Sequence, residues 1–256
     1  MPMASSDFLN CSFPLGVHAW CSTRQGGVSL PPFDSLNLGD HVGDDPMAVM
    51  ANRQRLTAQL GSARPIFLKQ VHGVDVVTLN ADTSDGTVAD ACVTTQPNLA
   101  CTIMVADCLP VLLTDTHGRA VAAAHAGWRG LMSGVIENTV QALCDQAAVQ
   151  PSQLQVWLGP CIGPSAFEVG QEVRAAFMAH DAQSMAYFAP HPHHAGKWLA
   201  HLSGLARQRL TGLGVQAIAG NDGSLAWCTV HERSRFFSYR RDGVTGRFAA
   251  CIWRTG

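Results

Sequence analysis

The stretch VADCLPVLLTDTHGRAVAAAHAGWRG, residues 105–130, decides how this chain is read. Two apolar runs, LPVLLT and RAVAAAH, flank Asp115-Thr116-His117-Gly118. Asp at the first position and Gly at the fourth suit a type I turn, so a β-hairpin is expected. If Asp115 pairs with Gly118, Cys108 falls opposite His125; a three-residue loop moves its partner to Ala126, and a different two-residue loop to Gly127. In every register Cys108 and His125 lie close together at the open end of the hairpin. In the first, their side chains share a face with Cβ atoms about 5 Å apart. That spacing suits two ligands of one zinc ion, or a thiol–imidazole pair.

His72 is a third member of this set. It follows the strand-like IFLKQV and precedes Gly73, where the chain should turn. Two histidines and a cysteine make an open zinc set with one position left for water or substrate. On spacing alone, a core cysteine and a satisfied histidine are the simpler account in a chain with 11 His and 9 Cys. The residues that follow change the balance. HAGWRG leads from a strand end into a helix, whose first turn offers free N–H groups and partial positive charge. Arg129 adds a guanidinium fork suited to phosphate or carboxylate. An anion could therefore bind beside the Cys–His pair, with Arg129 as a surface residue of the first helical turn the equal alternative; Trp128 reads as core ahead of a surface for stacking a base.

Outward from the hairpin, Asp45 caps a helix that has Pro46 in its first turn and ends at Gly61. IFLKQVHGVDVVTL (66–79) reads as two strands broken at His72-Gly73, and LACTIMVA (99–106) as a buried strand. RGLMSGVIENTVQALCDQAAV reads as one long amphipathic helix, and VGQEVRAAFMAH and KWLAHLSGLARQRLTGLG as two more. LQVWLG and VQAIAG are strands, and the tail FFSYRRDGVTGRFAACIW reads as a hairpin. Hairpin-linked strands mixed with helices favour one α/β domain over 1–256 with mixed or largely antiparallel sheets.

Composition removes several classes of function. Lys plus Arg (17) nearly balances Asp plus Glu (19), so no polyanion-binding surface is expected and nucleic acid is not the partner. No apolar run is long enough to span a bilayer, and the N-terminal segment lacks the basic start and apolar run of a signal peptide. Nine cysteines without a C-x-x-C pair suggest a reduced, cytoplasmic protein with mostly inert thiols.

The motifs LKQVHG, ADCLPVLL, HAGWRG, GPCIG and FFSYRRDGVTGR, with the N-terminal TRQGGVSLPPFDSLNLGDHVGDDP, are spread over nearly the whole chain. In that order they resemble the bacterial YfiH/YlmD laccase-domain family. The resemblance implies a single domain of layered α/β/β/α type, related to a bacterial toxin deamidase with a Cys–His site. It implies one zinc held by His72, Cys108 and His125, and phosphorolysis of adenosine, inosine, guanosine and methylthioadenosine, with adenosine deamination. Members have also been described as copper-dependent phenol oxidases, and others are linked to editing of peptidoglycan precursors.

The leading expectation is a metal-assisted purine nucleoside phosphorylase acting on nucleoside and phosphate. Phosphate is expected near Arg129, helped by Arg24, with Asn37 and Gln70 as candidates to hydrogen-bond sugar or base. Asn37 serves equally as a turn residue bonding its own backbone. The H-x-E…P-C-x-x-C signature of zinc deaminases is absent, so deamination would need another arrangement. A cysteine hydrolase or amidase is the second class, with Cys108 activated by His125. A copper oxidase is the third, but only HPHH (191–194) supplies an H-x-H pattern, in a loop rich in Pro and Gly. A binding or scaffold role is the non-enzyme alternative. Asp107 or Asp90 could orient a ligand histidine from behind or equally cap backbone groups at a strand end. Cys161 reads as part of a tight turn ahead of a residue facing the site, and Arg240 and Arg241 read as ion-pair formers, with contact to substrate phosphate as the lesser alternative.

Overall fold

The structure, a computed structural model, describes residues 8–256. The first seven residues of the segment read for a leader lie outside this range. The first half of the chain forms β1 (Phe8–Asn10), β2 (Val17–Ser22), α1 (Pro46–Gln59), β3 (Arg64–Phe67), β4 (Val76–Thr78), β5 (Ala91–Thr94) and β6 (Leu99–Val105). The hairpin follows as β7 (Leu109–Asp115) and β8 (Val121–Ala126), then α2 (Trp128–Ser133), α3 (Val135–Ala147) and β9 (Leu154–Leu158). The remainder is β10 (Glu168–Val169), α4 (Gln171–His180), β11 (Phe188–Pro190), β12 (Trp198–Ala200), α5 (Leu202–Gly212), β13 (Ala217–Gly220), α6 (Tyr239–Asp242) and β14 (Phe248–Arg254).

Two large sheets dominate. One has the order β1-β2-β14-β6-β3 and the other β13-β9-β7-β8-β5-β4. Each is antiparallel except for parallel pairs at its rim, β3 with β6 in the first, and β4 with β5 and β9 with β13 in the second. Alternation along the strands separates three cores. Leu112, Val121 and Ala123 face Ile103, Ala250 and Ile252 across the gap between the sheets. Leu109, Val111, Leu113, Ala122 and Ala124 point the other way, against α3 and α5. Leu56 and Leu60 of α1 and its C-terminal cap pack on Ala100, Met104 and Trp253 on the outer face of the first sheet. The order is therefore α/β/β/α, as the family resemblance implied, and every residue of β6, β7 and β8 is buried. Each such Leu or Val contributes roughly 1.5–3 kcal/mol by leaving water.

The helix over 46–59 forms as expected, with the Asp45 carboxylate accepting the Met47 N–H at 2.9 Å. Four other expectations change. The Asp115–Gly118 turn closes, with the Gly118 N–H on the Asp115 carbonyl at 2.9 Å. The buried Asp115 carboxylate then also takes the N–H groups of Arg119 (2.7 Å) and Ala120 (3.1 Å), holding both out of the ladder. Pairing resumes at Thr114↔Val121 and runs to Leu109↔Ala126, so Pro110, not Cys108, stands opposite His125. This is the register that puts Cys108 level with Gly127. The single long helix divides at Gly134, whose φ of 105° ends α2 and starts α3. The segment 197–214 starts as the strand β12, antiparallel to both β10 and β11, and is helical only from Leu202. The tail is not a hairpin: α6 precedes β14, which enters the first sheet between β2 and β6.

Candidate metal centre

β3 ends at Phe67, and the chain turns over at His72, which has a φ of 62°. The Asp90 carboxylate, fully buried, holds that turn. It accepts the N–H groups of Val71 (3.1 Å), His72 (2.9 Å) and Gly73 (2.7 Å). The same carboxylate meets His125 Nδ1 at 2.8 Å, and the Asp90 carbonyl takes the His125 N–H at 2.7 Å. One acid thus sets the backbone of one histidine and the ring of the other. An ionised carboxylate only accepts, which assigns a proton to His125 Nδ1 and turns Nε2 towards Cys108 and His72.

Cys108 arrives from the other side. Asp107 before it has a φ of 91°. Its carboxylate accepts the Thr229 hydroxyl (2.5 Å) and the Arg240 N–H (2.6 Å), and its carbonyl the Ile162 N–H (2.9 Å). Asp107 therefore positions the cysteine through the backbone; the orienting of a histidine falls to Asp90. The ligand atoms of His72, Cys108 and His125 lie within 4.8 Å of one another, with Cys108 Sγ 3.8 Å from His72 Nε2. Tetrahedral zinc with thiolate and imidazole ligands places sulfur and nitrogen about 3.5 Å apart, so the donor set fits that ion. A Cβ on Gly127 would come within 2.9 Å of Cys108 Sγ and 3.1 Å of His72 Cδ2, so this position must be bare.

The electrostatics single out one thiol. Burial pushes the thiols of Cys21, Cys101 and Cys161 upward. Burial acts the same way on Cys108, yet the charge and hydrogen bond of His125, then those of His72, hold it down to about 6. For His125, burial favours the neutral ring, but the Cys108 thiolate and the Asp90 carboxylate raise it to about 9. Without metal the pair is thus a thiolate beside an imidazolium.

The three groups line one wall of a cavity of about 400 Å³. Its other walls include Met104, Trp128, Ile162, Phe167 and Leu202, with Tyr239, Arg240, Arg247 and His41 towards the mouth. Of the expected substrate contacts, only Gln70 reaches it, and its amide is tied both ways to the Met104 backbone at 2.8 and 2.9 Å. Asn37 is buried in its own turn, bonding Gly39, Asp44 and the Arg247 N–H. Arg24 spends its fork on Asp34 and the Arg233 carbonyl. Arg129 is exposed, lies over the Trp128 ring at 4.4 Å and does not line the cavity. Neighbours on a helix are rotated by about 100°, so Trp128 facing inward turns Arg129 outward. The sequence does not single out Arg247, and Arg240 reads there chiefly as an ion-pair former, with contact to substrate phosphate as the lesser alternative. Arg241 does pair with Asp242 at 2.6 Å, whereas Arg240 lines the cavity. The GVTGR segment after SYRRD was the available signal.

Glu168, His191 and His194 form a second cluster. His191 Nδ1 accepts the N–H groups of His193 and His194, both at 3.1 Å. Its proton is therefore on Nε2, which faces Glu168 at 3.4 Å as a donor rather than a ligand.

Fold and centre together define a class: an α/β/β/α sandwich with a Cys–His–His set at one end of the gap between its sheets. The chain belongs to the family described as multi-copper polyphenol oxidoreductase laccase, whose model matches residues 18–255. A relative from Escherichia coli (strain K12), named purine nucleoside phosphorylase YfiH, is 52% identical over 241 residues, covering 94% of this chain and 95% of the relative. The purine nucleoside phosphorylase PA4543 of Pseudomonas aeruginosa is also 52% identical, covering 94% of each. Among solved structures, Neisseria meningitidis protein NMB0706 superposes with a TM-score of 0.90 at 45% identity, covering 98% of this chain and 100% of that one. YlmD from Geobacillus stearothermophilus gives 0.86 at 30% identity, covering 99% and 98%. The resemblance read from the motifs is borne out. Among the described residues, no helix is long and apolar enough to cross a membrane.

Proposed function

We propose that the chain is a zinc-dependent purine nucleoside phosphorylase of the cytoplasm, taking adenosine, inosine, guanosine or methylthioadenosine with phosphate, and deaminating adenosine at the same centre. The observation that carries this reading is the convergence of His72, Cys108 and His125 on the wall of a cavity with apolar and aromatic sides. The names of the relatives support the same activity. Zinc, when bound by these three side chains, supplies Lewis-acid polarisation at the reacting end of the nucleoside.

The chain's own residues do the rest. Trp128, Phe167 and Tyr239 offer flat surfaces for a purine. Asp90 keeps His125 in the tautomer whose Nε2 faces Cys108 and His72, and fixes the His72 backbone. Gln70, held by Met104, shapes the wall instead of contacting sugar. Cleavage of the glycosidic bond builds positive charge on the ribose, and the attacking phosphate must be held beside it. The test is to incubate zinc-analysed protein with each nucleoside, with and without phosphate. Free base and ribose 1-phosphate, formed only with phosphate, are the expected products; products indifferent to phosphate would refute phosphorolysis.

The low position of the Cys108 thiol favours one other reading, a cysteine hydrolase or amidase acting on a peptidoglycan precursor. Metal ligation and covalent catalysis compete for the same sulfur. Trapping of Cys108 by an electrophile in metal-free protein that remains active would favour the hydrolase; activity that tracks bound zinc would favour the phosphorylase. Copper oxidation of phenols finds less support, because the second histidine cluster holds His191 as a donor.

A further inference from the structure

The cationic groups of the cavity are placed for a ligand of their own. Arg247 stands one residue before β14, its N–H bound to buried Asn37 at 2.8 Å. Its stem runs over Gly39, where a Cβ would meet Arg247 Cγ at 2.8 Å. Its Nη1 donates to the carbonyls of Thr245 (3.1 Å) and Gly246 (3.0 Å). One edge of the guanidinium is thereby fixed, while Nε and Nη2 have no acceptor among the described residues. Arg240 repeats the pattern. Its Nη1 donates to the Glu168 carbonyl (3.0 Å) and the Ala166 carbonyl (3.5 Å), and its Nε and Nη2 are likewise free among the described residues.

Neither arginine forms an ion pair among the described residues. The arginines that do pair with a carboxylate, namely Arg24, Arg53, Arg119, Arg209 and Arg241, do not line the cavity. Among the described residues, Asp107 is the one carboxylate in the cavity wall, and its oxygens are taken by Thr229 and by the Arg240 backbone. Burial disfavours the charged form of Arg247, and the charges of Cys108 and Asp107 act on it without forming an ion pair, so an oxyanion on the free fork would complete its hydrogen bonding. Both free edges belong to side chains lining the cavity that the Cys–His–His set also lines.

We propose that Arg247, assisted by Arg240, is the subsite for inorganic phosphate, the role that sequence spacing assigned to Arg129. The inference rests on the phosphorolysis reading. It makes Arg247 the bidentate clamp and Arg240, nearer solvent, the second contact. The fork holds the nucleophilic oxyanion against the ribose face of the bound nucleoside. The C1′–N bond breaks as one phosphate oxygen bonds to C1′, and the base leaves with the electron pair and takes up a proton.

The experiment uses zinc-loaded, full-length protein and two readouts. Calorimetric titration with inorganic phosphate measures the subsite without turnover. Steady-state kinetics with phosphate and inosine varied separately measures it in the reaction. Arg247→Gln should weaken phosphate binding and raise the phosphate KM roughly 10- to 100-fold, as expected for loss of a charged hydrogen-bonding fork. Arg247→Lys should fall between, and Arg240→Gln should show a smaller rise. The inosine KM, zinc content and melting temperature should stay unchanged. If Arg247→Gln does not fold, Arg247→Lys carries the test. Phosphate binding unchanged in the Arg247 variants overturns the subsite even if the protein is a phosphorylase. Phosphate binding that is lost in them supports it even if no base is released, in which case the phosphorolysis reading falls instead. Nucleoside 5′-monophosphate binding more tightly than phosphate through Arg247 would reassign the fork to a phosphate ester and overturn the proposal.

Discussion

Among the described residues, two clusters place a pair of histidines beside a carboxylate, and they differ in what the carboxylate does. Around Glu168, His191 and His194 stack at 4.3 Å and both turn towards the same acid. Glu168 stands among the ligand candidates, its carboxylate held below the usual range by the hydrogen bond from His194. Around Asp90 the acid stands behind the rings. It is fully buried, occupied by three backbone N–H groups and His125 Nδ1, and it turns Nε2 towards Cys108 and His72. Proximity is common to both clusters. A metal site also needs donor atoms turned to one point and not committed to the fold; the Asp90 arrangement turns two imidazole nitrogens and a sulfur that way, whereas His191 has Nδ1 occupied by two backbone N–H groups.

Metal content gives the sharpest way to break this contrast. Cys108→Ala or His125→Ala should take bound zinc from about one per chain to near zero, whereas His191→Ala plus His194→Ala should leave it unchanged. Loss of zinc in the second variant would erase the distinction. Next in size is Asp90→Asn, which keeps the shape but not the charge. Zinc affinity should fall by about 10- to 100-fold, measured by competition with a chelator.

The pH dependence follows from the same pair. In metal-free protein the Cys108 thiol, lowered to about 6, is a thiolate at neutral pH. Alkylation by iodoacetamide should be near its maximum at pH 7 and decline as pH falls through about 6. Bound zinc should protect the sulfur. His125, raised to about 9, must give up a proton before its lone pair can bind. Zinc uptake at neutral pH should therefore release a proton, and affinity should weaken in acid.

The smallest effect is expected at the closed end of the hairpin, where Asp115 is the counterpart of Asp90 without a metal. Its carboxylate accepts the N–H groups of His117, Arg119 and Ala120 and pairs with the Arg119 side chain. Burial works against ionisation, but these donors hold the carboxyl below its ordinary value. Folding therefore gains stability from it above the unfolded value of about 4, and loses it as pH falls through the lower folded value. Asp115→Asn should cost about 1–3 kcal/mol in urea unfolding at pH 7 and leave zinc content intact.

Parity explains why part of the site was readable. Moving a hairpin register by two residues preserves which face each side chain occupies, so Cys108 and His125 share a face although the expected pairing was two residues off. His72 was legible as a polar residue before Gly at a strand end. Arg129 failed because nothing in HAGWRG says which way a helix turns once Trp128 has taken the inward direction. Arg247 was hidden for a different reason: only packing reveals that one edge of its guanidinium is fixed on backbone carbonyls while the other has no acceptor among the described residues. The break at Gly134 and the strand at 198–200 were lost to patterns that fit a helix equally well.

Local chemistry was enough to determine the hairpin, the capped first helix, the mixed sheets and the identity of the three candidate ligands. Turn type, strand alternation and capping act over a few residues, and the sequence states them directly. Which carboxylate orients a histidine, which arginine faces the cavity and which histidine keeps a nitrogen uncommitted to the fold were decided by tertiary structure. Those outcomes depend on residues tens to hundreds of positions apart, such as Asp107 with Arg240 or Asn37 with Arg247, competing for the same hydrogen bonds once the two sheets have closed on each other.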